Sequence, residues 1–256
     1  MVLSKVVYNK KINDNYYTMS VSSNGSVLNC EPGNFIMLKT NKNNMAYDPL
    51  LKRTFAISDI EDNNIVITYK VVGKGTRNLT YFKENDVIET SIVLGNAFNY
   101  SISNKKIAII AGGIGIAPFP LLVKELLKQK NIIDMYYGGK SKDDIILLNK
   151  FKEVENLFIA TEDGSVGKKG LITEYINKDY DVAFICGPKA MMSSAILKLN
   201  ELCKIEVSME ETMACGIGVC MGCIIPYNEK GVTHKKCCKD GPIFDGRKIL
   251  WEKIIC

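Results

Sequence analysis

The sequence predicts a chain of β plus α/β class in three parts: an antiparallel Greek-key β-barrel, a doubly wound parallel sheet, and a small cysteine-rich module. Three observations carry this expectation. Up to about Asn99, short β-type runs alternate with turn residues and no long helical period is visible. After Ser103 the pattern changes to strands alternating with helices. From Met209 onward glycine and cysteine dominate, and five of the nine cysteines fall within 24 residues.

In the first part the β-type runs are 16–22, 34–40, 53–57, 65–72 and 87–93. Clusters such as Ser23-Asn24-Gly25 and Glu61-Asp62-Asn63-Asn64 punctuate them, as the turns of a small barrel require. The second part opens with a buried strand at 106–111, followed by Gly112-Gly113-Ile114-Gly115 and helical spacing over 117–130. Strands at 132–137, 157–161 and 182–186 and a helix at 190–202 complete a parallel sheet wound on both faces. The expected domains are 1–100, 104–208 and 209–256, with the linker near 100–104.

At 256 residues and 46% hydrophobic content the chain is long enough to fold around real cores. Its net charge of +5 is scattered, with no run of one sign, so nucleic acid is not an expected partner. Residues 1–12 lack the apolar stretch of a signal peptide. The low-charge stretch 107–123 is broken by glycines and prolines and is too short for a membrane span. No membrane contact is expected, and clustered cysteines rather than spread ones suggest metal ligation in a reducing compartment, the cytoplasm. The single histidine, His234, excludes a Rieske centre and leaves little room for a Ser-His-Asp triad. Chemistry therefore falls to cofactors.

Cys215-x4-Cys220-x2-Cys223, followed after thirteen or fourteen residues by Cys237 or Cys238, has the plant-type spacing for a [2Fe-2S] cluster. Gly216, Gly218 and Gly222 let the loop turn N–H groups toward the sulfurs of an anionic cluster. Four thiolates would also hold zinc, although Cys-x4-Cys is not a usual zinc spacing. Gly112, Gly113 and Gly115 at a strand-to-helix turn would let a dinucleotide approach the backbone and place its phosphates at a helix N-terminus. The turn is not Gly-x-Gly-x-x-Gly, and no acidic residue closes the second strand, so NAD against NADP stays open. Thr161-Glu162-Asp163-Gly164-Ser165 ends the third strand on the side where nucleotides bind. In the barrel, Arg53-Thr54-Phe55-Ala56 and Gly73-Lys74-Gly75-Thr76 could hold a flavin, with the arginine on its pyrophosphate.

These motifs stand in the order of the ferredoxin-reductase family, which the chain resembles: Pro32-Gly33-Asn34-Phe35, the arginine strand, the Gly-Lys-Gly-Thr turn, the Gly-Gly-Ile-Gly turn, and Cys186-Gly187-Pro188 with Met191-Met192. The tail, from Glu210-Glu211-Thr212-Met213-Ala214-Cys215 to Cys238-Lys239-Asp240-Gly241-Pro242-Ile243-Phe244-Asp245, resembles the electron-transfer subunits of class 1B dihydroorotate dehydrogenases. The resemblance implies FAD in the barrel, held by Arg53, Thr54, Phe55, Ala56, Thr68, Tyr69, Lys70, Gly75 and Thr76. It implies NAD(H) on the second domain at Gly112, Gly113, Gly115, Cys186, Gly187 and Pro188. It implies a cluster on Cys215, Cys220, Cys223 and Cys238, the last because the family ligand directly precedes Lys-Asp-Gly-Pro. Thr54 and Ala56 depart from the family's proline and hydroxyl residue, which puts a side-chain contact to the flavin ring in doubt.

The resemblance also implies a partner, an FMN-containing catalytic subunit that oxidises dihydroorotate, in a heterotetramer of two copies of each. The same machinery would serve an NADH-dependent ferredoxin:NADP oxidoreductase or a sulfide dehydrogenase. A non-catalytic redox sensor would need neither flavin nor nucleotide. Trp251, Met191 and Met192 read as packing residues and His234 as an exposed one.

Overall fold

The computed structural model describes residues 2–22, 30–42, 48–177 and 179–255. The predicted turn Ser23-Asn24-Gly25 and Cys256 lie outside them.

Six strands close a barrel: β1 (Val2–Lys11), β2 (Tyr16–Ser22), β3 (Phe35–Leu38), β4 (Arg53–Glu61), β5 (Asn64–Lys70) and β6 (Val87–Thr90), in the order β1-β2-β5-β4-β3-β6. Strand alternation places Met19, Val21, Ile36, Leu38, Phe55, Ile57, Ile65, Ile67 and Tyr69 in its interior. β1 was not among the predicted runs. Only Val6 and Ser4 of that strand are buried, while Leu3 and three lysines face outward, so its sequence lacks a clean apolar alternation. The expected Gly-Lys-Gly-Thr turn opens a short helix, α1 (Lys74–Leu79). The Thr76 hydroxyl accepts the N–H groups of Val72 and Gly73, closing the first turn, and Leu79 anchors the last in the barrel core.

The second part is a seven-stranded sheet of β7 (Lys106–Gly112), β8 (Ile132–Gly139), β9 (Asn156–Thr161), β10 (Lys168–Lys169), β11 (Val182–Cys186), β12 (Lys204–Ser208) and, later in the chain, β15 (Ile243–Asp245). Its order is β10-β9-β8-β7-β11-β12-β15, parallel except for β15. Helix α2 (Phe119–Lys128) packs with Ile107 and Ile109 on one face, and α3 (Lys189–Lys198) with Ala108 and Ile110 on the other. Both helices are shorter than their periodicity. Residues Gly113–Ile116 form a 3-10 turn ahead of α2, and α3 stops where Leu199 becomes extended, leaving Leu202 exposed. No helix among the described residues is long and apolar enough to cross a membrane.

The cysteine-rich part holds a hairpin of β13 (Ile224–Asn228) and β14 (Val232–Lys236) and one turn of helix, α4 (Cys237–Asp240). It is less separate than the sequence suggests. β15 joins the main sheet by pairing with β12, and Cys223, Cys237, Cys238, Tyr227 and Phe244 share one core with Ile185, Val207 and α3. Trp251 packs on that core and its indole N–H donates to the Gly246 carbonyl at 2.8 Å. Met192 is buried and His234 exposed.

Candidate functional site

The strand order reverses between β7 and β11, and a cleft of about 590 Å³ opens at their C-terminal ends. Gly112, Gly113, Gly115, Gly187 and Pro188 line it, together with Met191, which also packs against the core as expected. The glycines act differently. A Cβ at Gly112 would fall 2.6 Å from the Met191 sulfur, and one at Gly115 would overlap the Cys186 carbonyl, so both permit the β11–α3 turn to pack closely. Gly113 has φ +52° and nothing nearer than the Tyr16 hydroxyl at 3.8 Å, which leaves its backbone open to a ligand. Cys186 does not line the cleft. Its thiol is buried among Phe98 and Phe184, and burial pushes it well above the usual thiol range.

The far end of the cleft is built from Gly138, Gly139, Lys140, Glu162 and Gly170–Thr173. Of the loop 161–165 only Glu162 lines the cleft; Thr161 bonds the Val166 carbonyl and Asp163 bonds Ser165. At the near end the barrel meets the sheet through Asp144, whose Oδ1 accepts the Tyr16 hydroxyl at 2.6 Å and the Lys70 ammonium at 2.8 Å. Its Oδ2 accepts the Lys140 N–H at 3.0 Å. Burial raises the Asp144 carboxyl, but Lys70, Tyr16 and Lys140 outweigh it and hold the group below the usual carboxylate range. Lys70, expected beside the flavin, therefore also faces the nucleotide cleft.

On the barrel, Thr54 and Ala56 are half-buried on the outer face of β4, while Phe55 points inward. Thr68 is outward on β5, and Tyr69 is inward with its hydroxyl donating to Asn9 Oδ1 at 3.1 Å. Arg53 lies across the first turn of α1, where a Cβ at Gly75 would fall 2.9 Å from its Nε. One Nη donates to the Leu51 carbonyl at 2.7 Å, and the space beside Gly73 is open. A guanidinium held against an open turn suits a phosphate-bearing group such as the FAD pyrophosphate.

The cysteines stand in two pairs. The Cys220 N–H donates to Cys215 Sγ at 3.5 Å, and the Cys238 N–H donates to Cys223 Sγ at 3.4 Å. The Gly222 N–H donates to Cys220 Sγ at 3.5 Å. Among the described residues no three such side chains converge as they would on one ion. Two pairs of thiols beside the N–H donors of Cys220, Gly222 and Cys238 suit a two-iron cluster. The N–H groups of Cys220 and Ile217 hold the Cys215 thiol at about 6, and burial with bonding to Cys223 pushes Cys238 up to about 12. Cys237 faces away: its thiol is buried and donates to the Met209 carbonyl at 3.1 Å.

Sequence reasoning missed the Asp144 clasp and the place of Met191 in the cleft wall, whereas Glu162 lies in the strand-end segment it singled out. No local signal marks Asp144, because it acquires its role from Tyr16 and Lys70, distant in the chain.

The model of the iron-sulfur cluster binding domain of dihydroorotate dehydrogenase B matches residues 210–250, and that of the oxidoreductase NAD-binding domain matches residues 109–196. Among curated proteins, the dihydroorotate dehydrogenase B (NAD+) electron transfer subunit of Caldanaerobacter subterraneus subsp. tengcongensis is 35% identical over 97% of this chain and 98% of its own length. That of Clostridium acetobutylicum is 37% identical over 97% of this chain and 96% of its own. Among solved structures, an NADH-dependent reduced ferredoxin-NADP oxidoreductase, described for flavin-based electron bifurcation, superposes with a TM-score of 0.83 at 27% identity. The match covers 99% of this chain and 91% of that one.

Proposed function

From the premise that the chain belongs to the family of dihydroorotate dehydrogenase B electron transfer subunits, we propose that it carries electrons between NAD(H) and a partner subunit that oxidises dihydroorotate to orotate. FAD and a [2Fe-2S] cluster are its resident groups. The single observation that carries this reading is the presence, on one chain, of an open dinucleotide cleft, an arginine-bearing barrel strand and two hydrogen-bonded pairs of cysteines.

The flavin would exchange a hydride with the nicotinamide and release or take electrons singly, and the cluster would relay them. The chain's own residues bind and orient. Arg53 and the turn Gly73–Thr76 hold the flavin phosphates, and the outer faces of Thr54, Ala56 and Thr68 receive its ring through backbone contacts. Gly113 admits the nucleotide pyrophosphate, Gly115 lets the β11–α3 turn pack closely behind it, and Gly187 and Pro188 close the cleft at the switch point. Cys215, Cys220, Cys223 and Cys238 hold the cluster. The working domains are 1–100 for FAD, 104–208 for NAD(H) and 209–256 for the cluster. The partner carries FMN and assembles with this chain as two copies of each, in the cytoplasm. Likeness to the ferredoxin-NADP oxidoreductase supports the same machinery, and the greater identity to the dihydroorotate dehydrogenase subunits favours the stated partner.

The test is to mix the purified chain with the FMN-containing catalytic subunit of the same organism and supply dihydroorotate and NAD+. NADH formation that requires both chains supports the assignment. A chain loaded with flavin and cluster that reduces ferredoxin but never couples to dihydroorotate would transfer it to the runner-up partner.

A further inference from the structure

The Cys215–Cys220 loop lies directly on the barrel. Gly216, beside the first cluster cysteine, has φ +71°, and a Cβ built there would overlap the Met37 sulfur, with Leu94 next nearest at 3.5 Å. Met37 is buried, and its side chain leaves the barrel on the outer face: Ile36 and Leu38 belong to the barrel interior, whereas Phe35 and Met37 belong to the core that contains Cys223, Cys237 and Cys238. In the β3–β4 ladder Met37 pairs with Thr54, and Phe35 with Ala56. Directly paired residues project to the same face about 5 Å apart. Met37 therefore touches the cluster loop on one side and adjoins the strand assigned to the flavin on the other. No other described glycine of the loop presses on the barrel: a Cβ at Gly218 would meet Lys239, and one at Gly222 only Cys220.

We propose that Met37 is a positioning residue for electron transfer between flavin and cluster, its thioether setting the loop against the flavin strand and excluding water from the gap. This inference rests on the function proposed above. In the direction of cluster reduction, the two-electron-reduced flavin would give one electron to the cluster, turning one ferric iron ferrous, and the second only after the cluster has passed the first to the partner's acceptor, with the flavin protons going to solvent. NADH supplies the two electrons as a hydride. Met37 is neither oxidised nor reduced. A long, polarisable and flexible side chain fills such an irregular gap well. Glycine at 216 is required because the contact leaves no room for a side chain.

The test compares Met37→Ala, Met37→Leu and Gly216→Ala with the wild-type holoprotein, after iron, sulfide and flavin are counted in each. Two readouts are taken: the rate of cluster bleaching after flavin reduction by NADH, and the fluorescence of the oxidised flavin without NADH, which a nearby cluster quenches. Met37→Ala is expected to slow cluster bleaching severalfold. It should also brighten the flavin while NADH-to-flavin reduction is unchanged. Met37→Leu, which conserves volume, should restore both readouts. Gly216→Ala keeps the Met37 residue but drives a methyl against its sulfur and should slow bleaching, and in the Met37→Ala background it should add little further, because the two changes act on one contact. Full cofactor content with both readouts unchanged in Met37→Ala and Gly216→Ala would overturn the proposal. Wild-type protein lacking flavin or a two-iron cluster would instead overturn the function on which it rests.

Discussion

Replacing Lys150 by methionine removes the ammonium that ties the nucleotide-binding sheet to the barrel. Lys150 Nζ lies 2.9 Å from Asp59 Oδ2 and 2.9 Å from Glu61 Oε1, both on β4. The Asp59 side chain is only 10% exposed, and breaking a buried pair by removing one partner costs about 3–5 kcal/mol. Three features reduce that figure: Lys150 is itself 34% exposed, Lys124 stands 3.8 Å from Asp59, and the Ile60 N–H already bonds the same carboxylate. The Glu61 limb, 39% exposed, is near the surface range of about 0.2–1 kcal/mol. The sum is about 2 kcal/mol, or a fall in the unfolding midpoint of about 4–8 °C for a chain of this size. The sign with pH is fixed by the same geometry. Bonding to Lys150 holds the Glu61 carboxyl below its usual range. A depressed carboxyl contributes stability that is present above its unfolded pKa and is lost as pH falls through its folded one. Burial lowers Lys150, but the bonds to Asp59 and Glu61 outweigh it and raise the ammonium, so its contribution persists through neutral pH. The difference between wild type and variant, followed by thermal unfolding, should therefore be largest near neutrality and shrink through the acid carboxylate range. A midpoint unchanged at neutral pH, or a difference equal at neutral and acid pH, would refute the reasoning.

Cys238→Ser should abolish the cluster while Cys237→Ser retains it, because Cys237 is spent on the Met209 carbonyl; iron and labile-sulfide counts decide, and the reverse pattern would exchange the ligands. Cys220→Ser should remove cluster bleaching while flavin reduction by NADH survives, read by stopped-flow absorbance. Arg53→Ala should cost about 1.5–3 kcal/mol of flavin affinity, as loss of a charge-assisted contact does, seen as lowered flavin content after dialysis. Unchanged content would remove Arg53 from the site.

Most of the architecture is legible because each layer has its own period. The barrel strands β2, β4 and β5, with β-branched and aromatic residues between turn clusters, and the mainly apolar strands β7, β8 and β11 are visible without a structure. β1 and β12 are not, since Lys5, Lys10 and Lys11 in the one and Lys204 and Glu206 in the other interrupt the apolar pattern. β15 is hidden for a different reason: three residues carry no period, and only its pairing with Val207 makes it a strand. The candidate ligands and glycines are readable from spacing because the chemistry fixes the residue types. Their division of labour is not. That Gly115 is occupied with packing against Cys186 while Gly113 is open, or that Cys237 turns from the cluster loop, depends on contacts between distant elements. The Tyr16–Asp144 bond spans 128 positions and joins two parts whose sequences contain no trace of each other.

The most direct measurement is an anaerobic visible absorption spectrum of the purified chain before and after NADH, with flavin, iron and acid-labile sulfide counted in the same sample. One flavin and one two-iron cluster per chain, both bleached by NADH, are the predicted result. Zinc in the cysteine site, with no flavin and no response to NADH, would contradict it.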